Sequence, residues 1–230
     1  MMENINIIRL QEIDSTNSEA KRRAQAGEKL PMLVVSESQT AGRGRIGRSF
    51  FSPDGTGLYM SLAYKADGDM TEAVKITSAA AVAVCLAIEE LSDKKPMIKW
   101  VNDVYIDGKK VCGILTEATK AGDDTVIVLG IGVNCRTEIF PEDIKNIAGS
   151  VGINDTEVLC EKIIGHVLRF ISGGEFITEY RRRSLVLGKE IAYTENGITK
   201  RGVAAEVADS GALVLSDGTT LNSGEITVRF

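Results

Sequence analysis

The 230-residue chain carries 27 lysines and arginines against 32 aspartates and glutamates, a formal charge of −5, with 43% hydrophobic residues. That size and apolar content predict a globular protein with room for one large domain and a small one, and the acidic balance argues against a general nucleic-acid binder. No apolar stretch is long and charge-free enough to cross a bilayer, and the first ten residues lack a secretion-signal pattern.

The elements follow in chain order. Asn4 to Ile13 reads as a strand entering Asp14-Ser15-Thr16-Asn17, where Thr16 and Glu19 match a capping box and Gly27 is the stop signal. Leu33 to Ser38 is a short apolar run that feeds the decapeptide Gln39-Thr-Ala-Gly-Arg-Gly-Arg-Ile-Gly-Arg48. Gly57 to Lys65 alternates like a strand, and the Ala-rich Thr71 to Leu91 reads as a mostly buried helix. Met97 to Trp100 and Val104 to Ile106 read as strands, Asp107-Gly108 as a hairpin turn, and Lys110 to Glu117 and Thr125 to Asn134 as strands again. Helices are expected near 156–172 and 174–184. From Gly188 the texture changes to short strands with Gly-containing turns, the mark of a small β-barrel-like domain.

Cys85, Cys112, Cys135 and Cys160 show no Cys-x-x-Cys spacing and read as reduced core thiols of a cytoplasmic protein. The single histidine, His166, lies in a helical pattern, without a Gly-x-Ser-x-Gly elbow or clustered metal ligands. Catalysis would then fall to Lys, Arg, Asn and carboxylates, a set suited to phosphates.

The decapeptide is the most specific signal. Gly42, Gly44 and Gly47 let backbone N–H groups approach a ligand, while Arg43, Arg45 and Arg48 offer planar forks for carboxylate or phosphate. Its Gly-x-Gly-x-x-Gly spacing fits a dinucleotide fingerprint, but the turn-like Ser49-Phe-Phe-Ser-Pro-Asp-Gly55 stands where that motif needs a helix. A Walker A loop fails for want of Gly-Lys-Ser/Thr. A second cluster, Lys99-Trp-Val-Asn-Asp103 with Lys109 and Lys110, brings ammonium groups to a hairpin where Asn102 and Asp103 could orient a hydroxyl or a metal. Alternation puts Lys109 and Lys110 on opposite faces and leaves open which points inward. In Gly130-Ile-Gly-Val-Asn134, the glycines suit backbone lying flat on a ligand and Asn134 suits an adenine edge, although a bulged core strand would read the same.

Together with Asp14-Ser-Thr-Asn17, Lys110-Val-Cys-Gly-Ile-Leu115 and Gly224-Glu-Ile-Thr-Val-Arg229, these segments resemble the ordered motifs of biotin–protein ligases over nearly the whole chain. The resemblance implies an α+β fold: a mixed β-sheet flanked by helices, a class II synthetase-like ligase core over 1–184, and a small SH3-like β-barrel over 185–230. It implies a ligase that converts biotin and MgATP to biotinyl-5′-AMP and pyrophosphate, then biotinylates a lysine of a carboxylase carrier domain. Ser15, Thr16, Asn17, Gln39, Gly42, Arg43, Gly113, Gly130 and Gly132 would bind biotin. Lys110, at the biotin carboxylate and α-phosphate, and Arg45 would be catalytic. Arg45, Arg48, Phe50, Lys99, Asn102, Asp103, Asn134 and Arg229 would hold ATP, with Mg²⁺ carried by the phosphates and Asp103 as its candidate protein contact. Val101 stands where many members have Pro, and Phe50 where some have a Trp that packs on adenine. The Asp-Ser-Thr-Asn motif begins at residue 14, so no DNA-binding domain is expected ahead of it. Neither DNA nor membrane is expected as a partner, and a homodimer is left open.

Overall fold

The computed structural model of the protein describes residues 5–45, 47–66, 73–195, 197–222, 224 and 226–228. Its elements are β1 (Asn6–Ile13), α1 (Thr16–Gln25), β2 (Met32–Gln39), β3 (Gly57–Lys65), α2 (Ala73–Leu91), β4 (Met97–Lys99), β5 (Asp103–Ile106), β6 (Lys109–Ala121), β7 (Asp124–Asn134), α3 (Thr156–Ile171), α4 (Ile177–Arg182), β8 (Glu190–Glu195), β9 (Ile198–Val207), β10 (Leu213–Leu215), β11 (Thr220–Leu221) and β12 (Ile226–Val228). Among the described residues the first seven strands form one sheet in the order β1-β2-β3-β7-β6-β5-β4. The β1–β2 pair is parallel and the remaining pairs are antiparallel. The sheet is therefore mixed, with α1 as the crossover that a parallel pair requires.

Strand alternation decides what each face meets. Met32 and Val34 of β2 pack with Ala63, Val126 and Val128 under Ala20 and Ala24 of α1. Leu33, Leu58, Met60, Leu62, Leu129 and Ile131 point the other way, into the larger core beneath α2 and α3. Because β2 is covered on both faces, its apolar residues run on without a polar break. Helix α2 is buried without interruption from Thr77 to Cys85; its alanines let strands and neighbouring helices approach closely from several sides.

The Asp107-Gly108 turn has positive φ at both residues (49° and 73°), the geometry of a two-residue hairpin loop whose twist matches its strands. Four residues on, the β5–β6 register slips: Tyr105 pairs with Lys110, but Val104 pairs with Cys112. Val111 is the extra residue of a bulge, and both Val111 and Cys112 are buried in the larger core. The bulge reverses the strand's parity, which puts Lys110 on the same side as Gly113 and Leu115.

Three sequence expectations need correction. The capping box does not form. Ser15 is the N-cap and makes no side-chain cap bond, while Glu19 bridges Arg22 and Arg23. The last helix of the first region runs only over Ile177–Arg182, because Gly173 adopts φ 96° and Glu175 caps the Thr178 N–H. The C-terminal strands form a sheet in the order β11-β10-β9-β8-β12 that does not close among the described residues. Residues 71 and 72 of the long helix, Asn196 of a tail turn and Ile46 of the decapeptide lie outside the described residues. All four cysteines are buried free thiols, and His166 packs on the α3 surface with Nε2 2.8 Å from Glu90. No described helix is long and apolar enough to cross a membrane.

Candidate active site

A cleft of about 280 Å³ opens on the face of the sheet away from α2 and α3. Its floor is β6 and β7, where Gly113, Gly130 and Gly132 present bare backbone. The missing side chains are required by packing: a Cβ on Gly130 would land on the Asn17 amide, and one on Gly132 on the Phe50 ring. The Phe50 ring thus lies flat against the glycine floor, 6.4 Å edge-on from Tyr59.

At one end the first turn of α1 enters the cleft with Ser15, Thr16 and Asn17 buried. The Thr16 backbone N–H donates to Gln39 Oε1 at 2.8 Å, so a side chain from β2 satisfies one of the helix-end donors that have no partner within the helix. Gln39 Nε2 donates to Ser52 Oγ at 2.8 Å. Asn17 Nδ2 donates to Glu117 Oε2 (2.9 Å) and Leu115 O (3.2 Å), and its Oδ1 lies 2.6 Å from Ser61 Oγ. The side chains facing the cleft at this end are neutral, fixed donors and acceptors, with the Glu117 carboxylate behind Asn17.

The other end is cationic. Arg45, Arg48, Lys99 and Lys110 line the cleft here, Arg43 of the same loop lies toward the α1 end against Glu117, and Asp103 is the single carboxylate among the lining residues. Lys110 Nζ sits 2.7 Å from Asp103 Oδ1. Arg45 reaches Asn102 Oδ1 at 3.1 Å, and Asn102 Nδ2 is anchored on Ile114 O; the arginine loop is thereby stitched to the Lys99–Asp103 segment. Within the loop, Gly44 N donates to Arg48 O (2.7 Å) and Phe50 N to Gly42 O (2.8 Å). Such a concentration of positive charge over a glycine floor suits a ligand whose anionic part is a phosphate or carboxylate. Burial, with the Asp103 charge adding to it, pushes the neighbouring Tyr105 phenol up to about 12, so that ring stays a neutral donor.

A model of the biotin/lipoate A/B protein ligase family matches residues 9–134, the span that supplies α1, the arginine loop and the glycine floor. The chain belongs to this family. It is 38% identical over 160 residues to the bifunctional ligase/repressor BirA of Bacillus spizizenii, covering 68% of this chain and 49% of that protein. It is 28% identical over 218 residues to the biotin–[acetyl-CoA-carboxylase] ligase of Mycobacterium tuberculosis, covering 89% and 80%. The chain thus spans about half the length of the Bacillus relative. Its fold is shared with biotin protein ligase from Aquifex aeolicus solved in complex with biotin and ATP, at 28% identity and a TM-score of 0.80 over 97% of this chain and 98% of that one.

The cleft gathers most of the residues the family motifs singled out. Three stand apart. Gly42 is not in the wall: its Cα lies beneath the Phe50 carbonyl and Ser52, where no side chain fits. Asn134 is buried at the end of β7, donates one N–H to Gly149 O of the 135–150 loop at 3.0 Å, and is not among the cleft-lining residues. Arg229 lies outside the described residues. Sequence reading missed Glu117, Ser61 and Tyr105. Period-two alternation from Gly113 along β6 would have placed Glu117 on the cleft face. It also missed the reach of the second sheet: Trp100 Nε1 donates to Gly211 O at 2.9 Å, and Ile226 of β12 closes one wall. Lys109 turns the other way, its ammonium on Asn146 O and its stem over Gly149.

Proposed function

We propose that the protein is a biotin–protein ligase. It joins biotin and MgATP into biotinyl-5′-AMP with release of pyrophosphate, then transfers the biotinyl group to a lysine of a carboxylase carrier domain. The observation that carries this is one cleft with two chemically opposite ends. The neutral end offers donors and acceptors for a ureido ring, and the cationic end gathers four basic side chains where a carboxylate and a triphosphate would meet. Family membership and the likeness to a ligase crystallised with biotin and ATP point the same way.

In the first step a biotin carboxylate oxygen attacks the α-phosphorus and the bond to pyrophosphate breaks. Lys110 is the group placed to offset charge gathering on the non-bridging oxygens, with Arg45 beside it. In the second step the carrier amine attacks the acyl carbon and AMP leaves. Asn102 and Asp103 offer one amide and one carboxylate, Asp103 is already paired with Lys110, and no cluster of three His, Cys, Asp or Glu occurs among the described residues. That donor set fits a Mg²⁺ held mainly by phosphates and water, which would supply further charge neutralisation. Ser15 to Asn17, Gln39, Arg43 and the floor glycines take the biotin; Arg48, Phe50 and Lys99 take the nucleotide. Residues 1–184 are read as the ligase domain and 185–230 as a small SH3-like domain, supported by the separate sheet of β8 to β12. A cytoplasmic site of action agrees with four buried reduced thiols.

The test is ATP–pyrophosphate exchange with biotin or lipoate, followed by labelling of a purified carrier domain. Biotin-dependent exchange and labelling support the reading. Exchange with lipoate alone would assign the cleft to the other substrate of the family, and tight biotin binding without exchange would make this a binding protein.

A further inference from the structure

Glu117 lies on β6 in line with Gly113 and Leu115, with its side chain 17% exposed. Three elements converge on it. Lys21 Nζ from α1 is 2.7 Å from Oε1, Asn17 Nδ2 from the helix start is 2.9 Å from Oε2, and Arg43 of the glycine–arginine loop is 3.2 Å from Oε1. Burial alone would raise this carboxyl; the Lys21 and Asn17 hydrogen bonds outweigh it and hold the group below its ordinary value, so it is an anion.

An anionic carboxylate accepts only, so it fixes the sense of the Asn17 amide. Nδ2 must face Glu117 and Leu115 O, and Oδ1 must then accept from Ser61 Oγ. The single Ser61 proton is thereby committed to Asn17, which leaves the Thr16 hydroxyl, 2.8 Å away, as the donor of that pair. Gln39 Nε2 in turn donates to Ser52, which donates to Phe50 O at 3.0 Å. The Glu117 charge thus fixes the Asn17–Ser61 arm of the network, the Thr16 backbone N–H fixes the Gln39–Ser52 arm, and the same charge holds the loop by Arg43.

We infer that Glu117 is a positioning residue: it orients Asn17 for the substrate's polar ring and latches the glycine–arginine loop over it. This rests on the biotin-ligase reading for its substrate, but the latch itself does not. The geometry is that of a pre-set site, in which the protein's own network, and not the ligand, chooses which way the amide faces.

The test compares wild type with Glu117→Gln. The variant is expected to raise the KM for biotin in ATP–pyrophosphate exchange roughly tenfold while kcat stays within about twofold, since a charge-assisted hydrogen bond is lost from binding and not from chemistry. In an Asn17→Ala background the same substitution should add much less to KM than in wild type, because the Asn17 arm is already gone and only the Arg43 arm remains. In protein without ligand, tryptic cleavage after Arg43 and Arg45, followed by mass spectrometry, should run several-fold faster in the variant. A KM within twofold of wild type, or an effect additive with Asn17→Ala, overturns the inference. If wild type gives no exchange at all, the ligase reading fails separately, and equal tryptic rates in the two proteins then overturn the latch. If Glu117→Gln does not fold, Glu117→Asp, which keeps the charge but withdraws it by one methylene, is read in the same assays against the same outcomes.

Discussion

The neutral and cationic ends of the cleft are held in different ways. At the α1 end, Thr16, Asn17, Gln39, Ser52 and Ser61 are tied together by short hydrogen bonds across two strands, a loop and a helix. At the other end the contacts are ion pairs and single hydrogen bonds from long side chains, such as Lys110 to Asp103 and Arg45 to Asn102. A buried network with committed donors and acceptors is costly to rearrange, whereas a lysine can exchange one anionic partner for another. The first end is therefore shaped in advance for a neutral group. The second is kept charged and available, with Asp103 standing in the place an incoming carboxylate or phosphate would compete for.

Removing the exchangeable charge should produce the largest effect. Lys110→Ala is expected to lower biotin-dependent pyrophosphate exchange by about 10²–10³-fold, the range for losing one group aimed at developing charge, while biotin binding by calorimetry changes little. An unchanged exchange rate would remove Lys110 from the reaction. The opposite result is expected at the pre-shaped end. Gly130→Ala drives a methyl group into the Asn17 amide, which is held by Glu117, Leu115 O and Ser61 and has nowhere to move. Overpacking of about 1–3 kcal/mol should weaken biotin binding by one to two orders of magnitude without altering the KM for ATP. If both KM values move together, the two ends are not separable.

The loop that spans both ends gives a third comparison. Its arginines repel one another, and occupancy by biotin and ATP should neutralise them. Tryptic cleavage after Arg45 and Arg48 is expected to slow several-fold when both ligands are present, more than with biotin alone. Equal rates under all conditions would mean that the loop is held by the protein alone, through Glu117 and Asn102.

How much of this was legible in the sequence follows the same division. The strands, the Asp107-Gly108 turn and the long Ala-rich helix are written locally, in alternation, positive-φ residues and uniform apolarity. The arginine loop stands out by composition alone. The choice between Lys109 and Lys110 could not be read, because it depends on a bulge at Val111, and a core strand with an extra residue has no local mark. The capping box failed for a related reason: Gln39, 23 residues away, outcompetes the helix's own Glu19 for the Thr16 N–H. Asn134 had the right residue type on the right face, but the 135–150 loop returns over it and accepts one of its amide N–H groups. Long-range satisfaction of polar groups thus overrode the local signals at these points, and two of them, Lys110 and Thr16, border the cleft.

The smallest expected effect concerns the support of the α1 end. Asp14 precedes the buried Ser15-Thr16-Asn17 turn and grips Arg22 through both oxygens, at 2.9 and 2.7 Å. The Arg22 hydrogen bonds hold the Asp14 carboxyl down to about 2, against 3.8 for the free group. A carboxyl lowered on folding stabilises the protein above its unfolded value, and that contribution is lost as pH falls through the folded one. The pair should contribute fully above about pH 4 and fade toward pH 2. Both side chains are about half exposed, so solvent screening limits the gain to under about 1 kcal/mol. Asp14→Asn should lower the Tm by a few degrees at pH 7 and by progressively less as the pH is taken below 4. A Tm difference that persists unchanged at low pH would show that Asp14 acts through its hydrogen bond to the Ser15 N–H, which an asparagine can also make only in part, and not through its charge.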